Sequence, residues 1–251
     1  MLGEGVGRRA IGRTESADFR NFPISETIIE LGLCLSPSDT LYTNCRTAIP
    51  GSPDHHLMFP TIWHQSDDTT SVTLASSHDG RLWDFVPGPS VLETAAFGEW
   101  DGGCVFAHPN LIELPNGDFA LPYTGFNVPH KYPRGQWRHL PGYAIWPKGR
   151  LVALEAPERG QFSTVALMPP GRKLKINALT QRAGGIQVEV AGLDGKAIPH
   201  RAFGDSVPII GDQHWTPVAW KEHDDLGNEE GRAVILRFRM DKARIYGLEF
   251  E

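Results

Sequence analysis

The chain is poor in the features that announce the simplest functions. Its 3 cysteines, Cys34, Cys45 and Cys104, are an odd number without C-x-x-C spacing, so neither a disulfide framework nor a zinc knuckle is indicated, and buried free thiols are expected. No apolar run approaches the ~20 residues of a membrane span. The opening stretch from Met1 to Arg13 also lacks the apolar core of a signal peptide, so the chain reads as soluble, untargeted and cytoplasmic by default, with no membrane partner. Positive charge is scarce: Lys+Arg 24 against Asp+Glu 30 gives −6, which leaves no electrostatic footprint for phosphate backbones and argues against nucleic acid as a partner. Metal-ligand spacings such as H-x-H and H-E-x-x-H are missing, so no metal or other cofactor is expected. The G-x-S-x-G elbow is missing too, which lowers the odds of a serine esterase.

What the chain does have is punctuation. Across 251 residues, 27 Gly and 20 Pro fall every few residues between short apolar runs, the texture of an all-β protein with little room for long helices. A hydrophobic fraction of 40% is enough to bury a sizeable core. The 7 Trp, 12 Phe and 5 Tyr fit such a core, and flat rings also stack on sugar faces, so some could line a saccharide cleft.

The first half carries an internal repeat. Ser16-Ala-Asp18-Phe-Arg-Asn-Phe22 and Ser77-His-Asp79-Gly-Arg-Leu-Trp83 share S-x-D-x-x-x-aromatic at an offset of 61 residues, as expected of stacked β-units such as propeller blades. In each copy the Ser/Asp pair can close a tight turn by side-chain to backbone hydrogen bonds, with the aromatic tucked beneath. Strands are expected at Ser71–Ser76, Cys104–Ala107, Asn110–Leu114 and Phe119–Thr124, the last two joined by the turn Pro115-Asn-Gly-Asp118. About two to two and a half blades fit before residue 150, against at least ~4 in a closed propeller. Residues 1–150 therefore read as an incomplete propeller, lacking N-terminal blades or completed by a second chain, and a homo-oligomer is expected from its open strand edge.

After the loop-rich stretch from Phe126 to Arg150 the alternation is longer and cleaner. Ile186, Val188 and Val190 alternate with Gln187 and Glu189, and Asp194-Gly195 signals a hairpin into Lys196–Ile198. Val234, Leu236, Phe238 and Met240 form one apolar row, and Tyr246, Leu248 and Phe250 form another. Residues 151–251 are accordingly expected to be an antiparallel β-sandwich.

Several short stretches carry a resemblance: Leu41-Tyr-Thr-Asn44, His56-Leu-Met-Phe-Pro60, the Ser77 to Trp83 turn and Gly98-Glu-Trp-Asp-Gly-Gly103. With these the first half resembles the five-bladed β-propeller glycoside hydrolases of families 32 and 43. Gln161–Thr164, Leu174–Asn177, Ile186–Val190 and Val234–Phe238 are similar to the β-sandwich that follows the propeller in family-32-type enzymes. The Ser77 turn is also similar to the structural Asp-box of sialidases. The resemblance implies a glycoside hydrolase acting on terminal sugars of oligo- or polysaccharides through carboxylates in the propeller channel. Asp101, in Asp101-Gly-Gly-Cys-Val-Phe-Ala107, matches the D-x-G-x-x-[FY]-A segment whose aspartate lies at the substrate cavity. The family's nucleophile motif W-M-N-D-P-N-G, its R-D-P motif and its Glu-Cys-Pro general-acid segment have no counterpart here. A non-catalytic saccharide-binding protein or inactive remnant is therefore the alternative, and a hydrolase of another class, such as an esterase, the third reading.

Glycoside hydrolysis usually needs two carboxyl groups, one acid and one nucleophile or base. Asp101 is the first candidate, because it follows Trp100 and precedes two glycines that admit close approach. Asp54 stands beside His55 and His56, where carboxylate and imidazole could share acid and base work, and Glu99 is two residues from Asp101. Trp100, His55, His56 and His130 are the candidate substrate-binding residues, His130 and His139 lying in the Pro-, Arg- and Trp-rich loop that starts at Asn127.

Overall fold

The computed structural model describes residues 8–32, 36–132 and 136–251. Cys34, the first seven residues, and Pro133, Arg134 and Gly135 of the 127–139 loop lie outside the described residues. Contacts divide the chain into two compact units, Met1–Ile145 and Trp146–Glu251. The protein is all-β, 49% strand with several antiparallel sheets, and among the described residues there is no helix and no sheet that closes on itself.

In the first unit a short hairpin of β1 (Ile11–Arg13) and β2 (Glu26–Ile29) precedes two four-stranded sheets. One is ordered β10-β7-β6-β3, from Leu92–Glu93, Thr69–Val72, Thr61–His64 and Asp39–Thr43; the other is β4-β5-β8-β9, from Arg46–Ile49, Ser52–Met58, Ala75–Ser77 and Asp84–Phe85. The two interleave along the chain because they are the halves of one creased meander. β3 continues into β4 through Asn44-Cys45, β5 into β6 through Phe59-Pro60, and β7 into β8 through Thr73-Leu74. Backbone bonds cross the crease from Phe59 N to Cys45 O at 3.3 Å, from Thr73 N to Pro60 O at 2.9 Å and from Val86 N to Leu74 O at 2.9 Å. The crease has local causes: Cys45 sits at φ +46°, and Pro60 has no N–H to give to a ladder. Buried Phe59 and Leu74 fill it.

A second meander follows, from β11 (Cys104–Ala107), β12 (Ile112–Glu113), β13 (Phe119–Phe126) and β14 (His139–Trp146). β11 and β12 pair successively along β13, from Cys104↔Phe126 to Ala107↔Tyr123 and then Ile112↔Ala120, while β14 also pairs with β13. Three side chains stitch β11 and its continuation to the first meander. The Thr70 hydroxyl donates to Val105 O and accepts from Val105 N, both at 2.7 Å; Cys45 Sγ donates to Ala107 O at 2.8 Å; and Leu111 N donates to Thr47 Oγ1 at 3.1 Å.

Both copies of the sequence repeat form the same turn. Asp79 Oδ1 accepts from Ser77 Oγ and from the backbone of Arg81 and Leu82, and Asp18 Oδ1 accepts likewise from Ser16 Oγ and the backbone of Arg20 and Asn21. The residue after each aspartate is left-handed, Gly80 at φ +69° and Phe19 at φ +57°. The aromatic end differs. Trp83 joins the buried cluster of Ile11, Ile29, Leu41, Met58 and Ile62, whereas Phe22 is exposed and meets Phe19 edge-on at 5.7 Å.

The second unit is built on one four-stranded antiparallel sheet, β15-β18-β16-β17, from Leu154–Ser163, Ile235–Phe250, Leu174–Ala191 and Asp212–Pro217. Two of the apolar rows read from the sequence form its core, with Ile186, Val188, Val190, Leu236 and Phe238 fully buried, whereas the row Tyr246, Leu248 and Phe250 is only half-buried. The alternation changes phase at Asp241-Lys242, where Thr180↔Ala243 gives way to Gly185↔Asp241 and Lys242 takes φ +45°. That bulge lets Ala243 and Ile245 face the same core as Leu236 and Met240. The Asp194-Gly195 turn is present, with Gly195 at φ +77° and Gly192 N donating to Lys196 O at 2.9 Å.

Trp220 is the largest fully buried side chain, and its Nε1 donates to Val188 O at 2.7 Å. Trp220→Ala removes the ring and orphans that carbonyl, so the second unit is expected to lose about 3–5 kcal/mol. Hydrogen exchange at the amides of Val188 and Leu236 under native conditions measures this directly; unchanged protection there would contradict the assignment of Trp220 as the core's keystone.

Candidate functional site

The side chains facing the second meander come from alternate positions of the first. Thr40 pairs with Trp63, and Trp63 with Thr70, so Thr40, Tyr42, Trp63 and Thr70 share one face of the sheet. Thr70 is spent on Val105, and the stitched β11 presents Phe106 to Tyr42 at 5.5 Å between ring centroids. Phe106 in turn meets Phe126 edge-on at 5.8 Å, and Phe126 meets Trp137 at 5.7 Å and His139 at 5.6 Å. The result is a cleft of about 320 Å³ lined by Tyr42, Cys104, Phe106, Phe126, His130 and Trp137, among others.

His130 stands among these rings, edge-on to Tyr42 at 4.6 Å, to Phe106 at 5.4 Å and to Trp63 at 5.5 Å. Asp68, left-handed in the β6–β7 turn, holds it there. Its backbone oxygen accepts from His130 N at 3.0 Å, and its carboxylate accepts from Trp63 Nε1 at 2.8 Å and from Lys131 N at 2.5 Å. Cations lie over two of the rings, Arg9 over Tyr42 at 4.6 Å and Lys131 over Trp63 at 5.0 Å. Cys104 in the cleft wall is no nucleophile at neutral pH, because burial, with the Asp68 charge added, pushes its thiol up to about 12.

The Trp100-Asp101 segment forms a separate tight structure. Asp101 is buried and its Oδ2 accepts from the Tyr123 hydroxyl at 2.9 Å, while the Trp100 ring lies 5.5 Å from the Tyr123 ring. A Cβ on Gly125 would fall 2.4 Å from the Asp101 Cβ and 2.6 Å from the Trp100 ring. A Cβ on Gly103 would fall 2.1 Å from the backbone of Val128. The glycines beside Asp101 thus admit the protein's own backbone. Glu99 is exposed, in a turn where its N donates to Ala96 O and its carbonyl accepts from Gly102 N.

Asp54, His55 and His56 are consecutive on β5, so their side chains alternate between faces. His56 Nδ1 lies 3.0 Å from Arg46, and His55 Nδ1 lies 3.0 Å from Ser52 Oγ with its ring 5.3 Å from His78. Asp54 is exposed. Of the residues singled out in the sequence, the structure brings Trp100 and Asp101 together and sets His130 in the aromatic cleft; Asp54, His55 and His56 have other neighbours. Tyr42, Trp63, Phe106 and Phe126 carry no joint signal in the sequence, since they come from four strands, and strand register alone unites them. Among the described residues no group of three His, Cys, Asp or Glu is placed to hold a metal ion.

Neither a family model, nor a curated protein, nor a solved structure matches this chain.

Tyr123 supplies a reporter for the buried pair. Burial first, then the hydrogen bond to Asp101 and its negative charge, push the phenol up to about 12. A phenol whose folded pKa is raised adds stability that is complete below about 10, its value in the unfolded chain, and that is lost as pH rises toward about 12. Ultraviolet titration is expected to show a late-ionising tyrosine, absent in Tyr123→Phe; a wild-type titration curve that is the same in Tyr123→Phe apart from the loss of one ordinary phenol would remove the buried pair.

Proposed function

We propose that the protein recognises saccharides through the aromatic cleft of its first unit. The observation that carries this reading is the connected run of rings Tyr42, Phe106, Phe126 and Trp137 around His130, with a cleft of about 320 Å³ beside them. Pyranose faces are apolar patches rimmed by hydroxyls, and flat side chains with a nearby imidazole and cations match both parts. In this proposal the creased four-segment meander and the meander after it are propeller-type blades related to the family-32 and family-43 glycosidases, and the second unit is the accompanying sandwich. The exposed Leu140, Tyr143 and Ile145 of β14 support self-association, the homo-oligomer expected from an open strand edge.

Binding without glycosidic cleavage is favoured over hydrolysis. Cleavage calls for two carboxyl groups about 5–9.5 Å apart across one bond. Asp101 is instead engaged with Tyr123 beneath Trp100 and Gly125, and Asp68 with Trp63 and Lys131.

Titration with a panel of neutral oligosaccharides, followed by tryptophan fluorescence, is expected to show saturable binding that weakens about tenfold in Trp137→Ala, the loss of one stacked ring. A panel of aryl glycosides is expected to show no turnover. Absence of binding across the panel would refute the saccharide reading, and aryl glycoside hydrolysis lost in Asp101→Asn would restore the glycosidase.

A further inference from the structure

The opposite face of the same strands carries a second constellation. Asp39 on β3 pairs directly with His64 on β6, and Ser71 on β7 pairs with Ile62, one step along on the same face. The His64 ring spans the other two: its Nδ1 lies 2.9 Å from Asp39 Oδ1 and its Nε2 lies 2.9 Å from Ser71 Oγ. A carboxylate can only accept, so Nδ1 carries a proton; in the neutral imidazole Nε2 is then the acceptor and the Ser71 hydroxyl donates to it. That is the polarity of a base placed on an alcohol, with the imidazole's tautomer set by the carboxylate behind it. Asp39 and Ser71 are each 7% exposed, and His64 and Ser71 border an open cleft of about 530 Å³.

We propose that Ser71, His64 and Asp39 form a nucleophile, base and positioning residue that hydrolyse carboxylic esters. Ser71 Oγ would attack the ester carbonyl carbon as its proton passes to His64 Nε2. The bond to the leaving alcohol then breaks and that alcohol takes the proton, leaving an acyl group on Ser71. Water, deprotonated by the same Nε2, releases the acid and returns the proton to Ser71. Asp39 balances the imidazolium between steps. Phe97 and Pro129 supply apolar wall for a short acyl chain, and Glu93, directly opposite Ser71 on β10, sets a negative charge there that disfavours anionic esters. This activity uses none of the aromatic side chains of the saccharide cleft, with which it shares Pro129 as a wall, so it stands or falls independently of that reading.

The test begins with the unaltered protein, which removes any dependence on variant folding. Treatment with a fluorophosphonate followed by peptide mass spectrometry is expected to place the adduct on Ser71, and p-nitrophenyl acetate is expected to turn over faster than p-nitrophenyl succinate. Ser71→Ala abolishes both adduct and turnover, and His64→Asn lowers turnover by about 10²-fold or more. Asp39→Asn lowers kcat with KM retained, and Asp39→Glu recovers part of the loss, which a merely structural carboxylate would not do. No Ser71 adduct after prolonged exposure of the wild type, or ester turnover that survives in Ser71→Ala, overturns the proposal.

Discussion

The first unit depends on one hydroxyl. Val105 is fully buried on a strand whose neighbouring sheet offers it side chains, and Thr70 Oγ1 satisfies both its N–H and its C=O. A buried backbone group left unpaired costs about 1–3 kcal/mol, so this single side chain does what a ladder rung would otherwise do. Cys45 Sγ at Ala107 O and Thr47 Oγ1 at Leu111 N repeat the device along the same line. Two meanders can therefore lie against each other without merging into one sheet, and the spacing they keep is what admits the rings of Tyr42 and Phe106.

Alternation then divides the labour of the first meander. Thr40, Tyr42 and Trp63 share the face from which Tyr42 enters the aromatic cleft, and Asp39, Leu41, Ile62, His64 and Ser71 face the other way. A slip of one residue in the β3–β6 register would exchange the two sets and destroy both faces at once. Leu41 and Ile62 belong to the buried cluster around Trp83, so the hydrophobic demand of that cluster is also what holds the register for the polar residues beside it.

The sequence showed some of this and hid the rest for identifiable reasons. Alternation with period two is a local signal, so the core rows of the second unit, Ile186 to Val190 and Leu236 to Met240, were legible. The Ser-x-Asp turns were legible too, because their hydrogen bonds span only a few residues. The tucking of the aromatic was not: Trp83 is buried and Phe22 exposed although the motif is the same. The creases at Cys45, Pro60 and Leu74 divide three long segments between two sheets, and nothing local distinguishes a crease from a strand end. Asp54, His55 and His56 look clustered as letters, yet a strand separates neighbours. Asp39, His64 and Ser71 look scattered, yet pairing gathers them. Asp101 was recognisable from its glycines, but Gly103 serves Val128 and Gly125 serves Trp100, contacts that only the folded chain reveals.

The strand order of the second unit bears on how it is made. β18 lies between β15 and β16, pairing Leu154 with Ile245 and Leu174 with Phe250, although it is the latest of the four in the chain. During synthesis β15 emerges with no partner in its sheet, and β16 can pair only with β17. Contacts so distant along the chain close slowly, whereas the hairpins of the first unit join segments that leave the ribosome almost together. The nascent protein thus passes through an interval in which its first unit can be complete while β15 and one edge of β16 remain unpaired.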